Sequence, residues 1–224
     1  MLFINHRINT LAQLKHLPLE NGVELDIRYH ENELVLHHDP LHHHETQPEK
    51  FENFLKAWQQ QGIMVLNIKT EGIEQHCIDL MNKFKIKQWF FLDLSMPYFV
   101  LYANKAVAGT LTGFGPENLA VRFSEYEPIE YALAFKNKAA WVWVDCFNEL
   151  ALNTKNYQQL TAANFKICLV SPELQKHNLG KITDFKEQLS DKKITAVCTK
   201  RPDLWGQTLD TATLSYLKEH YPEN

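Results

Sequence analysis

Short runs of β-branched and aromatic residues recur eight times along the 224-residue chain, and this pattern constrains its fold more than any other feature. Helix-like segments fill most of the gaps, such as 48–61 and 73–85, and 210–221 is predicted to be a final helix. The predicted strands are 2–6, 23–27, 63–69, 89–95, 119–124, 141–147, 165–171 and 194–200. This alternation predicts an α/β fold, a (β/α)8 TIM barrel, with residues 1–224 forming one domain.

An open doubly wound sheet is the structural alternative to the barrel. Such sheets commonly carry a glycine-rich phosphate loop, but the chain has only eight glycines, and "GTLTGFG" (109–115) lacks the GxGxxG spacing. The glycine pattern therefore favours the barrel.

Charge and hydrophobicity exclude several functional classes. The net charge of −4 with no basic run argues against nucleic-acid binding as a main task. No stretch reaches the ~18–20 apolar residues of a membrane span, and the first residues do not resemble a secretory signal, so we expect a cytoplasmic location. Four cysteines without CxxC spacing are predicted to be reduced core residues: Cys77, Cys146, Cys168 and Cys198.

Polar residues gather at the carboxyl ends of the predicted strands, where barrel enzymes form their active sites. Any one of them is adequately explained as a cap or a solvated edge, but several meeting at one end of a barrel indicate a site. The residues are His6, Arg7, Glu24, Asp26, His37, His38, Asp39, Asn67, Lys69, Asp93, Ser95 and Asp145.

The chemistry of this set favours phosphodiester cleavage over acyl or hydride transfer. Two carboxylates with an oxygen-bearing neighbour suit a hard cation such as Mg²⁺ or Ca²⁺. Two histidines can serve as general base and general acid, each contributing roughly 10²–10⁴-fold. Arg7 and Lys69 provide positive charge for an anionic group.

Five motifs, in order from residue 6 to residue 203, resemble the glycerophosphodiester phosphodiesterase family, within the phosphatidylinositol-phospholipase-C-like barrels. They are "HR" (6–7), "GVELDIR" (22–28), "LVLHHDP" (34–40), "LNIK" (66–69) and "CTKRPD" (198–203). The resemblance implies a barrel enzyme that hydrolyses a small-molecule phosphodiester with a divalent cation, Mg²⁺ or Ca²⁺. It implies His6 and His38 as the acid–base pair, Arg7 and Lys69 at the phosphate, and Glu24, Asp26 and Asn67 as metal ligands.

Two positions depart from the family pattern. Asn67 stands where the family has a third metal-binding glutamate, which removes one negative charge; an amide oxygen still suits a hard cation, and Asp93 lies on the next strand. The loop after "HR" is short and retains only Asn9 and Thr10 of the family's longer element. Glycerophosphodiester itself is therefore one candidate among related substrates.

The sequence permits two interpretations of the predicted strand at 119–124. Arg122 and Ser124 share a face of their strand; if that face turns inward, Arg122 binds an anionic substrate, and otherwise it lies on the surface. Residues 42–44 (all His) are predicted to lie in a solvated loop, and Glu173 is explained as an acid at a helix N-terminus.

The sequence thus predicts a metal-dependent phosphoric diester hydrolase. Two alternatives stay open. One is a barrel that binds a phosphorylated ligand without turnover, which Asn67 favours. The other is a related lyase that releases a cyclic phosphate when a substrate hydroxyl attacks.

Overall fold

All eight predicted strands are present in the computed structural model, which describes residues 1–41 and 47–222. Two further strands follow β2. The strands are β1 Leu2–Asn5, β2 Gly22–His30, β3 Glu33–Leu36, β4 Glu49–Lys50, β5 Met64–Ile68, β6 Trp89–Leu92, β7 Ala120–Phe123, β8 Trp141–Val144, β9 Lys166–Val170 and β10 Ala196–Thr199.

A hairpin that the sequence analysis did not anticipate extends β2 beyond residue 27. Strand β3 pairs antiparallel with β2, and His30 lies opposite Glu33. The two residues between them, Glu31 and Asn32, both have positive φ angles, 47° and 65°. Two positive φ angles are the requirement of a type I′ turn, which matches the twist of a hairpin. The hairpin places the segment after Leu36 beside the end of β2, because His37 N–H donates to Asp26 O at 3.0 Å.

Parallel pairing links the other eight strands into a circuit. The order runs β6, β5, β2, β1, β10, β9, β8, β7. A parallel bridge between Phe91 and Leu119 then joins β6 to the residue before β7. The circuit therefore closes as in the predicted barrel, whereas a doubly wound sheet would leave two free edges.

Eight α-helices lie in the described part of the chain, and all but the second, which follows β4, come after a parallel strand. They are α1 Leu11–Leu14, α2 Phe51–Ala57, α3 Glu74–Lys83, α4 Met96–Ala108, α5 Ile129–Leu133, α6 Thr154–Ala162, α7 Lys181–Gln188 and α8 Thr211–His220. Side-chain caps fix three of the starts, because Thr10, Asn153 and Asp210 each accept a backbone N–H of the first turn. The three predicted helices are confirmed, and each lies within its predicted range.

Alternate residues of the strands fill two separate apolar layers. Trp141 and Trp143 of β8 belong to the cluster inside the barrel, whereas Val142 and Val144 pack outward against the helices. In β7, Ala120 lies inside the barrel and Val121 outside. The face that carries Arg122 is therefore the inner one, and binding of an anionic substrate by Arg122 stays a prediction. All four cysteines are buried within these layers, as predicted.

Candidate functional site

Polar side chains project from the inner faces of the strands where the barrel filling ends. Ile4, Val65 and Cys198 fill the barrel, and the next inward positions along their strands are His6, Asn67 and Lys200. We call this region the barrel mouth, at the carboxyl ends of the strands. Its residues are His6, Glu24, Asp26, Asn67, Lys69, Arg122, Asp145 and Lys200.

Backbone geometry at Arg7 connects β1 to the acidic strand. Arg7 has a φ of 55°, an uncommon conformation for a residue with a side chain. In this conformation its backbone N–H donates to Glu24 Oε2 at 2.8 Å. The same carboxylate oxygen lies 3.8 Å from His6 Nε2. Glu24 Oε2 thus accepts the Arg7 backbone N–H and lies close to the His6 ring.

His38 reaches the same cluster from the segment after the hairpin. Arg7 Nη2 donates to His38 Nε2 at 2.5 Å, and His38 Nδ1 lies 2.8 Å from Asp39 Oδ1. Because arginine only donates, Nε2 is the acceptor and Nδ1 carries the proton. The neighbouring His37 instead places its Nδ1 2.8 Å from the backbone oxygen of Asp39. The structure therefore brings His38, the histidine chosen from sequence, to Arg7.

The two carboxylates of β2 lie buried beside Asn67. Asp26 and Asn67 are register partners on adjacent strands. Asn67 Nδ2 donates to Glu24 Oε1 at 2.8 Å, and Asn9 Nδ2 donates to Asp26 Oδ2 at 2.8 Å. This leaves Asp26 Oδ1 and Asn67 Oδ1 buried without a hydrogen-bond partner. Two such oxygens beside a second carboxylate are donors of the type that a hard cation prefers.

The described residues contain no group of three or more His, Cys, Asp or Glu side chains arranged to hold a metal. Beside Asn67 the acidic side chains are Glu24 and Asp26, both on β2, and Asn67 itself lies on the adjacent strand β5. A site for Mg²⁺ built here would rely on water and substrate oxygens for its remaining ligands, which is common for this ion.

Burial shifts the proton equilibria of the central pair. Burial, and next the adjacent charge of Asp26, raise the pKa of Glu24 to about 7, although hydrogen bonds from Asn67 and Arg7 oppose the shift. Burial, and next the positive charges of Arg7 and Lys200, lower the pKa of His6 to about 3. At neutral pH His6 is therefore uncharged.

Lys69 stands between two carboxylates on the β5 side of the mouth. Its ammonium lies 3.5 Å from Asp26 Oδ1 and 3.8 Å from Asp93 Oδ2, and its side chain is 20% exposed. Its charge is thus matched within the protein, yet the exposed part of the side chain remains in reach of an anionic ligand.

Arg122 is more completely paired. Its guanidinium donates to Asp93 Oδ1 at 2.7 Å and to Asp145 Oδ2 at 2.5 Å, with Glu127 Oε1 3.6 Å from Nε. Gln175 Nε2 donates to the other oxygen of Asp145 at 2.9 Å. Burial raises the pKa of Asp145 to about 6 even though Arg122 opposes the shift. To bind phosphate, Arg122 would have to exchange one of these carboxylates for it.

Three features of the site were not foreseen from sequence. The side-chain amide of Asn9 makes two contacts with Asp26: Nδ2 donates to the Asp26 carboxylate, and Oδ1 accepts the Asp26 backbone N–H. Lys200, the residue directly after β10 and part of the quoted "CTKRPD" motif, faces the mouth. Glu173 accepts from Thr199 Oγ1 at 2.6 Å and from Lys200 N–H at 3.0 Å, a contact beyond its predicted helix N-terminal role. The three histidines at 42–44 lie outside the described residues.

Comparison with known proteins supports the fold. No protein-family model matches the sequence, and no curated protein matches it. A glycerophosphodiester phosphodiesterase from Agrobacterium tumefaciens is similar in structure, with a TM-score of 0.65, 12% identity, and coverage of 92% of this chain and 100% of its own. The fold is shared with that enzyme.

Two further solved structures are similar at comparably low identity. A glycerophosphoryl diester phosphodiesterase from Parabacteroides distasonis has a TM-score of 0.61 and 9% identity, covering 98% of this chain and 86% of its own. Tryptophan synthase subunit alpha from Campylobacter jejuni has a TM-score of 0.55 and 10% identity, covering 97% and 94%. Likeness at this identity extends to the fold, and any activity must be argued from the mouth itself.

No helix within the described ranges has both the length and the hydrophobicity that crossing a bilayer would require.

Proposed function

We propose that this protein is a metal-dependent phosphodiesterase that hydrolyses a glycerophosphodiester-like substrate at the barrel mouth. The observation that carries the proposal is the connection of His6 and His38 through Arg7, directly beside Glu24. Two proton carriers and a guanidinium next to buried carboxylates are the groups that in-line attack on a phosphodiester requires. The likeness in fold to two phosphodiesterases agrees with it.

In the proposed reaction, one histidine removes a proton from water while the water oxygen bonds to phosphorus. The bond from phosphorus to the leaving oxygen breaks, and the other histidine protonates that alkoxide. His6 suits the base role in its charge state, because its low pKa keeps the ring neutral. Arg7 and Lys69 would contact the non-bridging oxygens, with Arg122 supporting the mouth from β7.

Glu24, Asp26 and Asn67 would hold the divalent cation, Mg²⁺ or Ca²⁺. The fit rests on two buried oxygens that accept no hydrogen bond, Asp26 Oδ1 and Asn67 Oδ1, on adjacent strands; the Lys69 ammonium lies 3.5 Å from the former. A bound cation polarises a phosphoryl oxygen, and its positive charge would oppose the burial and the repulsion by Asp26 that raise the pKa of Glu24.

A second candidate is a barrel that binds a phosphorylated ligand without turnover. It is favoured by the side-chain amide of Asn67, whose nitrogen is engaged with Glu24 where a third carboxylate would strengthen cation binding. A lyase that forms a cyclic phosphate differs from both in its product. The cytoplasmic location expected from sequence remains a prediction.

The test is hydrolysis of bis(p-nitrophenyl) phosphate and a panel of glycerophosphodiesters with Mg²⁺, Ca²⁺, Mn²⁺ or EDTA. We expect cation-dependent turnover that falls roughly 10²–10⁴-fold in His6→Ala and His38→Ala. His37→Ala is the matched control, because its ring contacts only the Asp39 backbone among the described polar partners. Turnover lost equally in all three variants, or absent with every cation in folded protein, would contradict the proposal, and a cyclic product would indicate the lyase.

A further inference from the structure

Lys200 lies next to His6 at the barrel mouth. Thr199 of β10 is the register partner of Asn5, and His6 N–H donates to Thr199 O at 3.2 Å. Cys198 and Ile4, two positions earlier on each strand, both point into the barrel. Residues at matching positions of parallel strands share a face, so Lys200 and His6 project together toward the mouth.

The ammonium of Lys200 has no carboxylate partner in residues 1–41 and 47–222. It lies over the ring of Tyr221, 4.9 Å from the centroid, and its side chain is half-buried. The nearby Glu173 carboxylate is occupied by the Thr199 hydroxyl and by the Lys200 backbone. Burial, and next the like charge of Arg7, lower the pKa of Lys200, so the cation is held where it is electrostatically unfavourable.

Charge is distributed unevenly around the mouth. On the β5 to β8 side, Lys69 and Arg122 are matched by Asp26, Asp93 and Asp145. On the β10 to β1 side, neither Lys200 nor Arg7 forms an ion pair within the described residues. Two cations that repel one another without a counter-ion indicate a position for an anion.

We propose that Lys200 binds the phosphate group together with Arg7, so that the non-bridging oxygens are contacted from the β10 and β1 side as well as from Lys69. Lys200 belongs to the "CTKRPD" motif, for which the sequence analysis assigned no site residue. The identification of the anion as a substrate phosphate rests on the proposed function. It adds a phosphate-binding residue that contacts the substrate from the side of His6 opposite to Glu24.

Binding of inorganic phosphate, followed by calorimetry at low ionic strength in EDTA, tests this assignment without turnover. We expect Lys200→Gln to weaken binding about tenfold, the effect of losing one charge-assisted hydrogen bond, and Lys200→Arg to retain most of it. Lys166→Gln is the matched control: Lys166 also lies over an aromatic ring, 5.3 Å from the Trp141 centroid, but at the opposite end of its strand. It should bind phosphate like the original protein.

The assignment is overturned by equal phosphate affinity in Lys200→Gln and the original protein, or by no phosphate binding at all. Its failure is distinguishable from failure of the proposed function. Phosphate binding that depends on Lys200 in a protein without turnover would support the anion site and refute the enzyme. Turnover with an unchanged KM in Lys200→Gln would support the enzyme and refute the site.

Discussion

Replacing Asn67 by glutamate would place a third carboxylate beside Glu24 and Asp26, and its effect on the free energy of unfolding follows from the geometry. Asn67 Nδ2 now lies 2.8 Å from Glu24 Oε1. A second carboxylate there would place two negative charges at about 4 Å, a repulsion of about 4 kcal/mol at an effective dielectric constant of 20. The pair can avoid that repulsion by holding one proton.

Because this proton can dissociate, the effect of Asn67→Glu on the free energy of unfolding depends on pH. Because the pKa of Glu24 is already raised to about 7, retaining the proton costs little at pH 7 and about 1.4 kcal/mol for each pH unit above it. In Asn67→Gln the single carboxyl has ionised above that pH and stability stops falling, whereas in Asn67→Glu the pair keeps its shared proton to a higher pH and the loss continues. Asn67→Glu should therefore match the neutral Asn67→Gln near pH 6 and be less stable by about 3 kcal/mol at pH 9.

Urea unfolding of both variants between pH 6 and pH 9, with EDTA and with excess Ca²⁺ or Mg²⁺, measures the difference. The cation should abolish the pH-dependent loss in Asn67→Glu and stabilise it more than Asn67→Gln, because only the former gains a ligand charge. Parallel pH profiles for the two variants in EDTA would refute the electrostatic reasoning. Equal stabilisation by the cation would show that position 67 does not face the ion.

Two further predictions concern the framework of the site. Arg122→Met should lower the free energy of unfolding by about 2 kcal/mol at pH 8, and by less at pH 5, where Asp145 takes up a proton. Denaturant unfolding at both pH values measures the loss, and an equal loss at both would contradict this reasoning. Gly62→Ala should lower the free energy of unfolding by about 2 kcal/mol or more, because its Cβ would lie 2.2 Å from the Gly22 nitrogen. Gly180→Ala is the control: the nearest contact of its Cβ is a side-chain atom at 3.2 Å, so stability should change by less than about 1 kcal/mol. Equal melting temperatures of the two variants would contradict this.

The strands were predictable because their apolar residues are local and regular. The β3 hairpin was not, because the usual signal of a two-residue turn is a glycine, and here Glu31 and Asn32 adopt the left-handed conformation instead. Asparagine tolerates that conformation comparatively well, but the glutamate gives no such indication. The turn is fixed by the pairing of β2 with β3, which the local sequence does not reveal.

Within the site, alternation along β2 was enough to place Glu24 and Asp26 on one inner face. The environment of Lys200 was beyond the sequence, because it depends on the register of β10 against β1 and on the position of Tyr221, which comes after α8. The pairing of Arg122 likewise required knowing which face of β7 turns inward. Contacts between distant strand ends follow from closure of the barrel rather than from any local pattern.

Closure itself is uneven. Among the described residues, the backbone joins β6 to β7 through one bridge, Phe91 to Leu119, while side chains carry the rest: Asn118 Nδ2 donates to Trp89 O at 2.9 Å, and Asp93 pairs with Arg122. One backbone bridge and a few side-chain contacts thus close the barrel between β6 and β7. Local opening should begin at this gap, and its amides should exchange with solvent at a lower free energy than global unfolding. The pair β10–β1 lies on the opposite side of the barrel. The junction between β6 and β7 can therefore open locally while His6 and its neighbours keep their positions.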